Sequence, residues 1–152
     1  MQEIICRSEE ETKEFGKKLA GILKQGDIVI LTGELGAGKT KLVEGILTYY
    51  GLKDEISSPT FTIVNEYRTD KVRINHFDLY RLKNTMEFEN IGGEEYFPKG
   101  INLIEWGDMI ENILPRDYMK ITILKGENYD TDRKLEVEEF GTRFNDVDFS
   151  KL

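Results

Sequence analysis

Asp27-Ile28-Val29-Ile30-Leu31-Thr32 runs straight into Gly33-Glu34-Leu35-Gly36-Ala37-Gly38-Lys39-Thr40, and that run decides how the rest of the chain is read. Four consecutive apolar residues, Ile28 to Leu31, predict a strand buried on both faces, as in a parallel sheet. Residues 33–40 fit the phosphate-loop pattern G-x-x-x-x-G-K-[S/T] in full. Each fixed residue has a physical reason. The glycines permit backbone conformations that side chains obstruct, so successive N–H groups can converge on phosphate oxygens. The helix that follows presents its positive end to the same anion. Lys39 supplies a full charge to the outer phosphates, and the Thr40 hydroxyl can ligate magnesium. The context fits as well, since a helix with Leu42, Val43, Ile46 and Leu47 on one face is expected from about Lys39 to Tyr50, with Gly51 as its stop. The loop therefore predicts binding of a nucleoside triphosphate with Mg²⁺, and ATP hydrolysis as the activity it serves.

Upstream, residues 2–6 read as a short strand. Ser8 reads as a helix N-cap and Glu11, three positions on, as its capping-box partner. Phe15, Leu19, Ile22 and Leu23 fall on one helical face, and Gly26 is expected to end that helix in a left-handed turn. Downstream, residues 61–68 and 72–79 read as a hairpin about the polar turn Thr69-Asp70-Lys71. Residues 84–97 read as helical or irregular, and Ile101 to Glu105 as a strand. A brief helix is expected over 107–113, stopping before Pro115, and two further strands over 118–124 and 134–140. The fold predicted is α/β, a three-layer sandwich of the P-loop NTPase kind with a mixed, mainly parallel central sheet. With no repeat or linker in view, residues 1–152 read as one domain, with 126–152 as a less certain tail and last strand.

Composition narrows the function classes. The formal net charge is −8 with 33% charged residues, so nucleic-acid phosphates gain little from the protein as a whole. If a nucleic acid is involved, another chain is expected to make the main contact. The single cysteine, Cys6, reads as a small core residue and suits a reducing compartment. No apolar run approaches the ~18 residues of a membrane span, and the N-terminus lacks the basic and apolar regions of a secretory signal. A cytoplasmic protein without membrane contact is the expectation.

Hydrolysis needs a second acid to help hold magnesium and a group to orient water. Glu105, ending the strand Ile101-Asn102-Leu103-Ile104, is placed for the first task, although Asp is commoner there. Asp78 is the second candidate. In a strand, His76, Asp78 and Tyr80 would share one face and Phe77 and Leu79 the other. That polar face could line a site or simply meet solvent. His76, the lone histidine, reads as a hydrogen-bonded structural residue and not as a metal ligand. Arg81 could stabilise phosphate charge or pair with an acid, and Trp106 could stack on a base or pack.

Taken in order, residues 33–40, Ser58-Pro59-Thr60-Phe61, His76-Phe77-Asp78-Leu79-Tyr80-Arg81, Glu94-Glu95-Tyr96 and Ile104-Glu105-Trp106-Gly107 closely resemble the TsaE (YjeE) family. These are small bacterial ATPases of the tRNA threonylcarbamoyladenosine pathway. The resemblance covers about residues 1–125. It implies a P-loop fold that binds ATP and Mg²⁺ and hydrolyses ATP slowly alone. It implies TsaD and TsaB as partners, with the ATPase resetting that complex between cycles and meeting tRNA only indirectly. Lys39, Asp78 and Glu105 would then be catalytic, with Thr40 and Glu105 on the metal and Asp78 supporting the water or metal shell. Glu34, Leu35, Gly36, Ala37, Gly38, Lys39 and Thr40 would hold the phosphates. Ser58 to Thr60 would form a switch-like loop near the γ-phosphate, and the adenine would lie near Ser8 and Asp132. Two departures stand out: Asn102 interrupts an apolar strand, and residues 126–152 match nothing distinctive. Two alternatives remain: an ATP-gated assembly module in which turnover is incidental, and a small metabolite kinase. The kinase is disfavoured by the absence of clustered lid arginines, and a GTPase by the absence of an Asn-Lys-x-Asp element.

Overall fold

A computed structural model describes residues 1–34, 38–52, 63–128 and 131–152. Their elements run β1 (Gln2–Cys6), α1 (Glu9–Ala20), β2 (Ile28–Gly33), α2 (Lys39–Tyr49), β3 (Val64–Arg68), β4 (Arg73–Asp78), α3 (Thr85–Asn90), β5 (Ile101–Glu105), β6 (Tyr118–Lys125) and β7 (Arg133–Phe140). Short 3₁₀ segments cover Gly93–Lys99, Gly107–Ile113 and Phe149–Lys151. The strands form one sheet in the order β1-β7-β6-β2-β5-β4-β3. β6, β2, β5 and β4 pair in parallel, whereas β7 and β3 run against their neighbours. The mixed, mainly parallel α/β sandwich expected from the sequence is thus what forms.

Strand β2 is central because its alternation serves two cores at once. Val29 and Leu31 pack with Leu19 of α1 and Leu42 and Ile46 of α2 on one face. Ile28 and Ile30 pack with Phe77, Phe88, Phe97 and Ile110 on the other. Burying each such side chain contributes about 1.5–3 kcal/mol. The second face is covered by the short helix α3 and the 3₁₀ turns, so the third layer is thinner than a full helical layer.

Helices α1 and α2 approach so closely that glycine is required at the crossing. A Cβ on Gly45 would stand 2.0 Å from the Lys13 carbonyl oxygen, and one on Gly16 2.5 Å from that of Leu42. Real Cβ atoms do not approach backbone oxygens this closely, so α1 and α2 meet through bare backbone at this crossing.

The structure corrects several local expectations. Ser8 does cap α1, its hydroxyl accepting from the Glu11 amide at 3.1 Å. The helix ends at Ala20, not Gly26, because Gly21 closes it in right-handed geometry. Gly26 does take a positive φ of 94°, but in the following turn. Residues 107–113 are 3₁₀ and not α-helical. Tyr80 lies beyond the end of β4 and does not continue the face of His76 and Asp78. That face is not a solvated one, since His76 is buried.

Asn102 belongs where it stands. It is fully buried in register with Asn75, whose Nδ2 donates to its Oδ1 at 3.0 Å. Its own Nδ2 donates to the carbonyls of Phe97 (3.0 Å) and Asp27 (3.1 Å). A buried amide satisfied this way avoids the penalty of an unpaired polar group. The C-terminal segment is also part of the core. Phe144 and Phe149 are buried beside α1, and Arg143 grips Asp27 through two hydrogen bonds of 3.2 and 3.0 Å. Among the described residues no helix is long and apolar enough to cross a membrane.

Candidate functional site

Parallel strands β2, β5 and β4 end together, and the candidate residues sit at that end. Register pairs Leu31 with Glu105 on one side and Asp78 with Glu105 on the other. Thr40 is the second residue of α2, whose leading loop leaves β2 at the same end of the sheet. Thr40 and Glu105 therefore share one end of the sheet. Gly33 and Gly38 frame the loop. Gly33 takes φ 132°, and a Cβ there would meet the Ile123 oxygen at 2.1 Å, so β6 admits only glycine. Gly38 takes φ 104° immediately before the helix. Leu35, Gly36, Ala37 and the segment Ser58-Pro59-Thr60-Phe61 lie outside the described residues, so their expected roles rest on the sequence.

Lys39 is buried, with its ammonium folded back on the loop. Its Nζ donates to the carbonyls of Gly33 (3.4 Å) and Glu34 (3.3 Å) and lies 4.5 Å from the Trp106 ring centroid. Desolvation lowers its pKa, while the charges of Glu105 and Asp78 pull it back up. Trp106 holds its ring there from a left-handed backbone with φ 60°, the one non-glycine residue among those described with positive φ. Its amide donates to the Leu31 carbonyl at 3.0 Å, which anchors the bend. Tyr80 lies against the same ring at 5.3 Å between centroids. Trp106 is thus a cation–π neighbour of the loop lysine.

Glu105 is held rigidly. His76 Nε2 lies 2.6 Å from its Oε2, with both side chains nearly buried. With Nε2–H donating to the carboxylate, Nδ1 faces the interior without a hydrogen-bond partner among the described residues. Asp78, half-buried, accepts at Oδ1 from the Tyr80 amide at 3.1 Å. Desolvation raises its pKa, that hydrogen bond lowers it, and the neighbouring Glu105 charge raises it further. A carboxylate beside a second carboxylate and opposite an ammonium is the kind of perturbed group that gathers at functional sites.

Ser8 and Asp132 meet at the rim through Arg7. The Arg7 Nη1 donates to Asp132 Oδ2 at 2.7 Å, joining the turn before α1 to the turn before β7. Asp132 therefore fastens two turns, and the Ser8 hydroxyl is already engaged as a helix cap. Arg133 is the residue the sequence reading missed. A Cβ on Gly38 would stand 3.8 Å from its Nε, so this cation borders the phosphate loop. Only the pairing of β7 with β6, itself beside β2, brings it there.

No three His, Cys, Asp or Glu side chains among the described residues cluster to hold a metal by themselves. Mg²⁺ takes one or two protein oxygens and completes its shell with phosphates and water. Thr40, Glu105 and Asp78 are oxygen donors of the required kind at one end of the sheet.

Residues 6–135 match the family model described as "Threonylcarbamoyl adenosine biosynthesis protein TsaE". The chain belongs to the TsaE family. Among curated TsaE proteins, described as tRNA threonylcarbamoyladenosine biosynthesis proteins, that of Rickettsia bellii is 40% identical over 86% of this chain and 90% of its own length. That of Bacillus subtilis is 38% identical over 89% and 84%, and that of Synechocystis is 48% identical over 67% and 68%. The crystal structure of Bacillus subtilis YdiB superposes with a TM-score of 0.77 at 32% identity, covering 94% of this chain and 88% of that one. The family match stops short of Phe144 and Phe149, so the tail that completes this core lies beyond it.

Proposed function

We propose that this TsaE-family chain is a Mg²⁺-dependent ATPase serving tRNA threonylcarbamoyladenosine biosynthesis in the cytoplasm. Its partners are TsaD and TsaB, which it resets between cycles. One observation carries the reading: Lys39 opens α2 at the end of the sheet where Asp78 stands in register with Glu105, its ammonium lying over the ring of Trp106, the residue after Glu105.

Each residue has a task the geometry allows. The Gly38 backbone and the first turn of α2 offer amides to phosphate oxygens. Lys39 exchanges two neutral carbonyls and an aromatic face for the outer phosphates, which are stronger partners for an ammonium. The Thr40 hydroxyl and Glu105 would hold Mg²⁺, with His76 fixing the Glu105 carboxylate through Oε2. When bound there, Mg²⁺ would supply positive charge against that developing on the transferred phosphoryl group. Asp78, poorly solvated, accepts from and orients the attacking water. Arg133 borders the loop as a further cation for phosphate oxygens.

The test is ATP turnover by the chain alone and with TsaD, TsaB and tRNA. Hydrolysis that rises when the partners are added supports the reading. An absence of turnover in every combination, with nucleotide still bound, would replace it with an ATP-gated assembly module.

A further inference from the structure

The end of the sheet opposite the phosphate loop carries a charge pattern at odds with the acidic chain. β2, β4 and β5 start there, α1 and α2 finish there, and the turn between β3 and β4 lies there. Two shallow depressions sit side by side on this end. One, of about 320 Å³, includes Lys24, Lys71, Tyr49 and Tyr50. The other, of about 290 Å³, includes Arg68, Lys71, Arg73 and Lys99. They share Gln25, Lys71 and Val72 and so form one strip. It holds five cations against one acid, Asp70, in a chain whose net charge is −8.

Arg73 is engaged, pairing with Glu66 at 2.7 Å. Lys24, Arg68, Lys71 and Lys99 are exposed, and no salt bridge to an acid of the described residues is formed by any of them. Their backbones are nonetheless set. Thr69 Oγ1 donates to the Val72 carbonyl at 2.6 Å and accepts from the Lys71 and Val72 amides, closing the turn between Arg68 and Lys71. Gln25 Nε2 donates to the Pro98 carbonyl at 3.0 Å, and the Gly26 amide to that of Gly100 at 2.8 Å, joining the turns that carry Lys24 and Lys99. Tyr49 is 47% exposed, its ring edge-on to Tyr50 at 4.9 Å. Cations outside every ion pair of the described residues, set on fixed turns beside an exposed aromatic, offer the two elements of single-stranded nucleic-acid binding: phosphate contact and base stacking.

We propose that this strip is an RNA-binding surface, with Lys24, Arg68, Lys71 and Lys99 on phosphates and Tyr49 stacked on an unpaired base. The choice of RNA rests on charge complementarity, the exposed aromatic ring and the tRNA pathway of the family. It is independent of the ATPase reading and revises the expectation that only other chains touch tRNA. Tyr49 ends the helix that the phosphate loop begins, so RNA and nucleotide would engage opposite ends of α2.

The test measures binding of a fluorescein-labelled 12-nucleotide single-stranded RNA and of an unmodified tRNA transcript to the full chain, from 50 to 200 mM salt. The combined variant K24A/R68A/K71A/K99A is expected to bind at least ~10-fold more weakly at 50 mM, with a salt slope about 3 smaller in magnitude, roughly 0.7 per lost phosphate contact. Tyr49→Ala is expected to weaken binding about tenfold with its salt slope unchanged, as loss of stacking requires. Thermal midpoint and ATP affinity are expected to stay at wild-type values in both variants, which separates failure here from failure of the nucleotide site. Equal RNA affinity in wild type and the combined variant, or no RNA binding at 50 mM, overturns the proposal. So does polyglutamate binding as tightly as RNA and indifferent to Tyr49→Ala, which would mark an acidic protein segment as the occupant.

Discussion

His76 Nε2 stands 2.6 Å from Glu105 Oε2, across the parallel pair β4 and β5. The two residues are not directly opposite in register, since His76 pairs with Leu103 and Asp78 with Glu105. The imidazole therefore reaches diagonally along the strands to brace the carboxylate. A ligand braced from behind keeps its orientation when metal arrives. His76→Ala is expected to raise the Mg²⁺ concentration needed for half-maximal ATP turnover by 10–100-fold. His76→Gln, which keeps an N–H donor, should recover part of that loss. An unchanged Mg²⁺ requirement in His76→Ala would leave His76 a packing residue only.

Lys39→Ala removes the charge that faces the outer phosphates and leaves the loop backbone in place. ATP affinity by calorimetry is expected to fall by ~100-fold or more, in the range of a lost charge-assisted contact of about 3 kcal/mol. The thermal midpoint without nucleotide is expected to fall by a few degrees at most, since the hydrogen bonds to Gly33 and Glu34 are long and the remaining loss is the contact with the Trp106 ring. Retained wild-type ATP affinity would count against the phosphate-loop reading.

Glu105→Gln keeps the shape of the side chain and deletes its charge. Turnover is expected to drop by on the order of 100-fold, with ATP still bound through the loop. If turnover vanishes while the tRNA modification assembly still functions, binding and not hydrolysis is the useful step.

Gly45→Ala tests the α1–α2 crossing. The added methyl would meet the Lys13 carbonyl oxygen, a backbone atom that cannot swing aside. Overpacking of this kind costs about 1–3 kcal/mol, or more where the backbone must move. Urea melts should show that loss. ATP affinity should fall as well, since α2 carries Lys39 and Thr40 at its start. A neutral Gly45→Ala would mean that the helices separate at little cost.

The Arg7–Asp132 pair predicts a pH dependence. Burial favours the protonated carboxyl, but hydrogen bonds from Arg7, the Asn128 amide and the Thr131 hydroxyl outweigh it and lower the Asp132 pKa below its ordinary 3.8. A carboxylate with a lowered folded-state pKa contributes stability above the ordinary value and loses it as pH falls through the folded value. Asp132→Asn should therefore be less stable than wild type near neutral pH and converge with it under strong acid. A constant gap across that range would assign the loss to packing and not to charge.

Most of the frame is legible in the residues. Ile28 to Leu31 read as a doubly buried strand and Leu42 to Leu47 as one face of a helix, because strand and helix periodicity are local properties. The Ser8 cap and the turn at residues 69–71 were legible for the same reason. The site was legible only in part. Lys39, Thr40 and Glu105 announce themselves by motif and strand end. Nothing near Arg133 points to Gly38, and nothing near His76 points to Glu105. The helix end at Gly21 is not legible locally, because its cap is right-handed and the left-handed glycine, Gly26, stands in the turn that follows.

The sequence by itself determined the strand, loop and helix that present a triphosphate site, because each depends on contacts among residues a few positions apart. The tertiary structure decided the rest. The strand order places Glu105 between Leu31 and Asp78, swings Arg133 against the loop, folds Phe144 and Phe149 into the core and gathers lysines from three separate turns on the far end. Those meetings join residues tens of positions apart. Their energy comes from burying both faces of one sheet at once, a condition that no local stretch of chain carries.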